Sequence, residues 1–343
     1  MIVLMKLEAT QAQIDLVCEA IKENGLSPLV LPGEDRVAIG IPAVVEPSLR
    51  EHLEALLSEF DGVSKVTQVS RPYKLASLEF NRVRTSFEVK NVPFGPGYFT
   101  MIAGPCSVEG YDEYKSAGEV IKKQGVKVLR GGAFKPRTSP YSFQGLQEEG
   151  LKIIKSVGDE LGLVTITEVM SGDKVEVCAE YVDILQIGAR SIQNFPLLIE
   201  AGKSGKPIFL KRGPASTIDE YLLAAEYILN QGNSQVILCE RGVVPLERSY
   251  VRNTFDINAI PVLLDNSHLP VFADPSHACG VAKYVPRMTM ASMVAGAHGA
   301  MIEMHLNPKK ALSDGSQALT PEAFEKMMDD LRKLAPLMGV HLV

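Results

Sequence analysis

The sequence predicts an α/β chain: a closed eight-stranded β/α barrel preceded by a small α+β module. Three observations predict it. From Tyr98 onward, eight short apolar segments alternate with amphipathic helical segments, the pattern that builds a parallel sheet. The chain has 343 residues, enough for one barrel of roughly 250 and a module of under about a hundred. No Gly-rich dinucleotide turn follows the first alternating strand, which argues against an open doubly wound sheet.

Taken in order, residues 2–7 are apolar and β-prone, and 11–23 place Ile14, Val17, Cys18 and Ile21 on one helical face that stops at Asn24-Gly25. Residues 29–31 and 37–41 read as strands around a turn at Pro32-Gly33-Glu34-Asp35. A second helix over 48–59 turns Leu49, Leu53, Leu56 and Leu57 inward, and 63–69 return as a strand. This βαββαβ order is that of ferredoxin-like ligand-sensing domains. The expected division is a module over 1–70, a connector over 71–97 with a hairpin around Asn81, and a barrel over 98–343. Barrel strands are expected at 99–103, 127–130, 164–168, 184–187, 207–211, 235–239, 271–273 and 300–304. Helices are expected at 112–124, 144–161, 174–180, 196–204, 218–230, near 254–260, at 286–298 and at 321–337, and Asp265-Asn266-Ser267 reads as a turn.

Composition narrows the function classes. Hydrophobic residues make up 46% and charged residues 22%, as in globular proteins with a real core. A formal net charge of −6 argues against nucleic acid or an anionic membrane as partner. The five scattered cysteines are no disulfide framework and point to a reducing cytoplasm. No apolar run reaches the length of a membrane span, and the first six residues do not read as a signal peptide.

A barrel of this class carries its chemistry at the C-terminal strand ends, and those ends are far from random. Arg130, Lys135, Arg137, Arg190, Lys211 and Arg241 come to one mouth from separate strands. One arginine at a strand end is usually solvent-facing, but six together repel one another unless an anion neutralises them. In an acidic chain they read as a pocket for phosphate or carboxylate groups, with backbone donors from Gly131-Gly132 and Thr138-Ser139. A second group, Cys106, His277, Glu303 and Asp314, mixes thiolate, imidazole and carboxylate donors on the first, seventh and eighth strands. Closure of a barrel makes those strands neighbours, and the donor mix suits a first-row divalent metal better than magnesium. Taken singly, a cysteine is often a small buried hydrophobe and a loop histidine an ordinary hydrogen-bonding residue. Glu303 and His305 are two apart, so on one strand both face the barrel interior. Glu303 reads as a ligand and His305 as its supporting partner or a proton carrier. Cys279 is either inert or able to reach Cys106 on oxidation. His52, His268, His298 and His341 read as structural or surface residues, and Cys18, Cys178 and Cys239 as packing residues.

Gly-Pro-Cys-Ser (104–107), Leu-Arg-Gly-Gly-Ala-Phe-Lys-Pro-Arg-Thr-Ser (129–139), Gln-Ile-Gly-Ala-Arg (186–190), Asp-Pro-Ser-His (274–277) and Glu-x-His (303–305) occur in this order. They closely resemble the 3-deoxy-D-arabino-heptulosonate 7-phosphate (DAHP) synthases, a (β/α)8 TIM-barrel family, over residues 98–340. The likeness is to the short form, close to 3-deoxy-D-manno-octulosonate 8-phosphate synthase, with an ACT-like ferredoxin-like domain at the N-terminus. The resemblance implies condensation of phosphoenolpyruvate with erythrose 4-phosphate at the start of the shikimate pathway. It further implies a divalent metal, manganese foremost with iron, cobalt, zinc or cadmium as alternatives, held by Cys106, His277, Glu303 and Asp314. Arg130, Lys135, Arg190, Lys211 and Arg241 would hold phosphoenolpyruvate, and Arg137, Thr138 and Ser139 the sugar phosphate. Lys135, His305 and Cys106 are the candidates for catalytic roles, with Lys135 or a metal-bound water as acid or base and His305 behind them. An aromatic amino acid would act as effector at the N-terminal domain, and a homotetramer is the family-level expectation. The octulosonate relatives typically carry Lys-Ala-Asn-Arg-Ser where this chain has Lys135-Pro136-Arg137-Thr138-Ser139, which favours the four-carbon aldose over arabinose 5-phosphate. The loop Arg252-Asn253-Thr254-Phe255-Asp256 also resembles the heptulosonate enzymes. Other readings are a Schiff-base aldolase with Lys211 as nucleophile and a non-catalytic metabolite sensor, which would require damaged sites.

Overall fold

A computed structural model describes residues 1–31, 36–43, 45–67, 71–135 and 139–343, the side chain of Pro47 excepted. The chain forms two compact units, Met1–Val83 and Arg84–Val343.

In the first unit β1 (Ile2–Met5), β2 (Leu29–Leu31), β3 (Ala38–Gly40) and β4 (Val63–Thr67) form an antiparallel sheet in the order β2-β3-β1-β4. The helices α1 (Gln11–Glu23) and α2 (Pro47–Ser58) complete the βαββαβ pattern. Thr10 starts α1 with a capping box, its hydroxyl taking the Gln13 N–H while the Gln13 side chain accepts from the Thr10 N–H. The predicted face of α1 is the one buried: Ile14, Val17, Cys18 and Ile21 pack with Leu53 and Leu57 of α2 and with Val3, Met5 and Ile39 of the sheet. The turn expected at 32–35 and the end of the strand expected at 63–69 lie outside the described residues.

The second unit opens with a hairpin, β5 (Phe87–Val89) and β6 (Val92–Phe94). A hairpin was expected near Asn81; its turn is instead Lys90-Asn91, with φ of 47° and 63°. Two consecutive positive φ values are the hairpin geometry that matches strand twist. Eight parallel strands follow: β7 (Tyr98–Gly104), β8 (Val128–Arg130), β9 (Val164–Val169), β10 (Ile184–Ile187), β11 (Ile208–Lys211), β12 (Val236–Glu240), β13 (Val271–Ala273) and β14 (Gly299–Glu303). β14 pairs back onto β7, with Glu303 beside Gly104, and so closes the barrel. Between the strands run α3 (Tyr111–Lys123), α4 (Gln147–Leu161), α5 (Val175–Tyr181), α6 (Phe195–Lys203), α7 (Ile218–Leu229), α8 (Ala259–Asn266), the one-turn α9 (Pro275–Cys279) and α10 (Val285–Val294), with α11 (Pro321–Leu334) after the last strand. A short β15 (His341–Leu342) then pairs with the start of β7. The helix expected near 254–260 begins later, and Asp265 and Asn266 are its final residues rather than a turn; Ile260 and Leu263 bury its inner face.

The barrel interior is filled, not hollow. Ile102, Val128, Ile166, Ile184, Phe209, Ile237, Phe272 and Met301 form one buried cluster with Val92 and Phe94 of the hairpin. Phe94 stacks on Phe272 with ring centroids 5.9 Å apart. The hairpin therefore plugs the N-terminal mouth, and only the C-terminal mouth is left for a site. All five cysteines are free and buried. Among the described residues, no helix is long and apolar enough to cross a membrane.

His298 fixes the start of β13: its Nδ1 accepts from the Val271 N–H at 3.0 Å, and burial, with Arg84 nearby, pushes its pKa down to about 4. The unfolded chain, with a histidine pKa of about 6.5, therefore binds more protons than the fold between those values. Stability contributed by His298 is full above the unfolded pKa and is lost as pH falls toward the folded one. The expected loss from pH 8 to pH 5 is about 2 kcal/mol. Urea midpoints across that range should show it in the wild type, and less of it in His298→Asn, which keeps an acceptor but does not titrate. Parallel pH profiles for the two proteins would refute the assignment.

Candidate functional site

Local chain geometry brings the strand ends together. Gly104 ends β7 at φ 145°, and a Cβ there would sit 2.3 Å from the Arg130 carbonyl oxygen. Only glycine permits that approach, after which Cys106 is pinned on the second strand end: Gly132 N–H donates to its carbonyl at 3.0 Å. Lys135 Nζ lies 2.9 Å from the same carbonyl and 3.0 Å from Cys106 Sγ. At the end of β13, Asp274 caps α9, its Oδ1 accepting from His277 N–H at 2.9 Å with Pro275 at the first helical position. Its Oδ2 takes His277 Nδ1 at 2.7 Å and the Lys211 ammonium at 2.5 Å. Glu303, fully buried at the end of β14, accepts from Arg130 Nη1 at 2.6 Å through Oε1 and from Gln317 Nε2 at 2.8 Å through Oε2.

A cavity of about 580 Å3 opens at this mouth, lined by Arg130, Lys135, Ser139, Arg190, Lys211, Arg241, Arg252, Asn253, His277, Asp314, Glu168 and Gln186 among others. Five of the six expected cations thus face one space, together with Ser139. Arg137 and Thr138 lie outside the described residues. For two of the five the expected mutual repulsion is met from within: Arg130 pairs with Glu303 and Lys211 with Asp274, acids supplied by the seventh and eighth strand ends. Arg241 differs. It is 8% exposed, and among the described residues its guanidinium makes no ion pair. Burial, with Arg252 nearby, lowers its pKa from the usual arginine value although Asp274 acts against that.

Cys106 Sγ and one carboxylate oxygen each from Glu303 and Asp314 lie within 4.8 Å of one another. His277 Nε2 is 3.4 Å from Glu303 Oε1 and 3.7 Å from Asp314 Oδ2. Donor atoms around a tetrahedral first-row ion are roughly 3.3–3.8 Å apart; Cys106, Glu303 and Asp314 form the group that could hold one, with His277 beside its two carboxylates. Asp274 Oδ2 accepts from Nδ1–H, which leaves Nε2 turned to two carboxylates: a charged ring donates to them, and a neutral ring offers them a lone pair that a cation would have to share. Burial keeps His277 below its ordinary pKa. Burial also pushes the Cys106 thiol up, as does Glu303, against Lys135 and Arg130. For Asp314 burial acts upward too, but Arg252 and His277 outweigh it and hold the carboxyl at about 2.

His305 departs from expectation. β14 ends at Glu303, and beyond it the chain bridges to Leu319 instead of continuing along β7. His305 instead meets Glu109 at 3.5 Å and lines a separate small cavity with Pro105 and Tyr114. Sequence reasoning also missed Asp274 as a site residue, although it stands in the quoted Asp-Pro-Ser-His segment, and gave no role to Glu168 or Gln186. Gln317 carried no signal in sequence at all.

A cationic cavity at the C-terminal mouth of a barrel, above a buried cluster of metal-type donors, defines a class: barrel enzymes that handle anionic substrates. The comparisons specify the family. Residues 82–337 match the DAHP synthetase I family and residues 1–71 the DAHP synthase ferredoxin-like domain. The chain is 45% identical to the phospho-2-dehydro-3-deoxyheptonate aldolase of Thermotoga maritima over 342 residues, covering all of both chains. A crystal structure of that enzyme matches with a TM-score of 0.79 at 44% identity, over 100% of this chain and 99% of that one. A 2-dehydro-3-deoxyphosphooctonate aldolase of Syntrophobacter fumaroxidans is 31% identical over 71% of this chain and 90% of its own length. The chain belongs to the DAHP synthetase I family.

Proposed function

We propose that this chain condenses phosphoenolpyruvate with erythrose 4-phosphate and water, giving 3-deoxy-D-arabino-heptulosonate 7-phosphate and phosphate. One observation carries the reading: a cavity lined by Arg130, Lys135, Arg190, Lys211 and Arg241 over the Cys106, His277, Glu303 and Asp314 donors, in a chain alike in full length to a heptulosonate enzyme. Two anionic substrates repel each other in water. Arg130, Lys135, Arg190, Lys211 and Arg241 would hold phosphoenolpyruvate, with Arg137, Thr138 and Ser139 on the sugar phosphate, turning that encounter into a near-attack pair. The four donors would hold a divalent ion, manganese first among the candidates. Such an ion, when bound, supplies Lewis acidity toward the aldehyde oxygen.

In the reaction, the enol carbon forms the new C–C bond and the aldehyde oxygen gains a proton. Water adds to the phosphate-bearing carbon, and the hemiketal phosphate loses phosphate by C–O cleavage. Lys135, at the cavity wall beside Cys106, is the side chain best placed to carry a proton between these steps. His305, paired with Glu109 outside that wall, is less well placed. The N-terminal unit would bind an aromatic amino acid and regulate the barrel, and the enzyme would assemble as a homotetramer, a mass that light scattering checks.

One set of assays tests this reading. Phosphoenolpyruvate consumption is measured with erythrose 4-phosphate or arabinose 5-phosphate, before and after chelation and manganese addition. The same assay is then run with tyrosine or phenylalanine on the full chain and on a chain lacking residues 1–83. Turnover with the four-carbon sugar, lost on chelation and restored by manganese, is expected, with inhibition confined to the full chain. Preference for arabinose 5-phosphate moves the chain to the octulosonate reaction. A borohydride-trapped adduct on Lys211 supports a Schiff base instead. Inhibition that survives truncation places the effector elsewhere.

A further inference from the structure

Gln317 is 1% exposed, and both ends of its side-chain amide are engaged. Nε2 donates to Glu303 Oε2 at 2.8 Å, while Oε1 accepts from Arg252 Nη1 at 2.9 Å. The same Arg252 nitrogen reaches Asp314 Oδ2 at 3.2 Å. A carboxylate can only accept and a guanidinium can only donate, so one orientation of the amide satisfies both partners. The side chain therefore ties together two of the four donor residues: Glu303 directly, and Asp314 through Arg252.

The backbone holds this link in place. Gln317 N–H donates to the Asp314 carbonyl at 3.2 Å, and Leu319 N–H to that of Glu303 at 2.8 Å. Asp314 itself stands at φ 48°, a left-handed conformation that aspartate adopts more readily than most residues. With Oε2 of Glu303 taken by Gln317, Oε1 is the oxygen turned to Arg130 and His277. Arg252 also lines the anion cavity, so the link runs from the cavity wall to the donor cluster.

We propose that Gln317 is a positioning residue, one that sets the separation of the Glu303 and Asp314 carboxylates, and hence cation affinity, and couples it to Arg252. The proposal rests on the reading of Cys106, His277, Glu303 and Asp314 as cation ligands. Its test is manganese titration of the metal-free full-length protein, followed by electron paramagnetic resonance of the free ion. The visible spectrum of the cobalt(II) form and the unfolding midpoint of the metal-free form are recorded alongside. Gln317→Met keeps the length and apolar stem but removes both hydrogen bonds. Its manganese affinity should fall by about 10-fold or more, the usual effect of losing a partner of a metal ligand, and its cobalt spectrum should change. Arg252→Met, at a part-exposed position, should weaken binding by a similar factor. The double variant should be no weaker than the weaker single, because one linkage is broken in all three.

Wild-type affinity and spectrum in Gln317→Met overturn the proposal whatever its unfolding midpoint, since a residue that merely packs would lower stability alone. If Gln317→Met does not fold, wild-type manganese affinity in Arg252→Met overturns it equally. Additive losses in the double variant overturn the coupling through Arg252. A wild type that binds neither manganese nor cobalt refutes the ligand reading itself, and the proposal with it.

Discussion

Glu303→Gln is expected to lose activity by on the order of a thousandfold and stability by roughly 3 kcal/mol. The two losses have one origin. Glu303 is fully buried and pairs with Arg130, which is 4% exposed. Burial alone would raise the carboxyl's pKa, but His277 and Arg130 hold it below the usual range, so Glu303 is the charge that balances this end of the barrel. Glutamine has the same shape without that charge, leaving Arg130 buried and uncompensated, the costly way to break an internal pair. Nor can the amide satisfy both neighbours. With its oxygen toward Arg130, its NH2 group meets the Gln317 donor; reversed, it meets Arg130. The catalytic loss follows from the cation cluster, which would lose one of two carboxylates and several kcal/mol of transition-state stabilisation. Urea unfolding and kcat with saturating manganese measure the two separately. A variant within tenfold of wild-type kcat would remove Glu303 from the reaction.

Arg241→Met should separate the same two quantities. Arg241 is buried, and among the described residues no carboxylate pairs with it. Asp274 acts on it from a distance but is already engaged by Lys211 and His277. A buried guanidinium with no acid of its own destabilises the empty protein and waits for an anion. Replacing it with methionine should leave the unfolding midpoint unchanged or raise stability by about 1 kcal/mol. The kcat/KM for phosphoenolpyruvate should fall by about a hundredfold or more, the loss of charge-assisted hydrogen bonds to phosphate or carboxylate. Inorganic phosphate should raise the wild-type midpoint by mass action and the variant's by less. A stability loss like that of Glu303→Gln would instead make Arg241 a structural ion.

The opposite signs expected for these two residues could not be read from sequence, since both are charged groups at strand ends. What differs is the partner. Glu303 meets Arg130, 173 positions away, and Lys211 meets Asp274, 63 away. Pairings at such separations depend on strand register and tilt, which the local pattern does not specify. Gln317 was invisible for the same reason: an isolated glutamine in a loop has no periodicity and no motif, and its contacts exist only because the fold brings Arg252, from the loop after the sixth barrel strand, to the end of the eighth.

His305 shows the limit from the other side. The Glu-x-His spacing placed both side chains in the barrel on the assumption that the strand continued, but pairing with β7 stops at Glu303. Two-residue alternation holds only while the ladder does. The hairpin was displaced for a related reason. Asn81 has a turn residue's chemistry, yet Phe87 and Phe94 are the aromatic pair that can stack, and Phe94 reaches Phe272 in the barrel interior.

Sequence by itself pointed to the barrel, the ferredoxin-like unit before it, the convergence of cations and a set of metal-type donors, of which the fold gathers Cys106, Glu303 and Asp314. Those follow from short-range periodicity and from a topological rule that sends every parallel strand's C-terminal end to one mouth. Tertiary structure decided which cations are neutralised, that Arg241 is without an acid among the described residues, where His305 sits and which glutamine joins the carboxylates. Each of these is an electrostatic match at about 3 Å between residues distant in the chain. At that range a shift of one residue in register exchanges a partner for empty space.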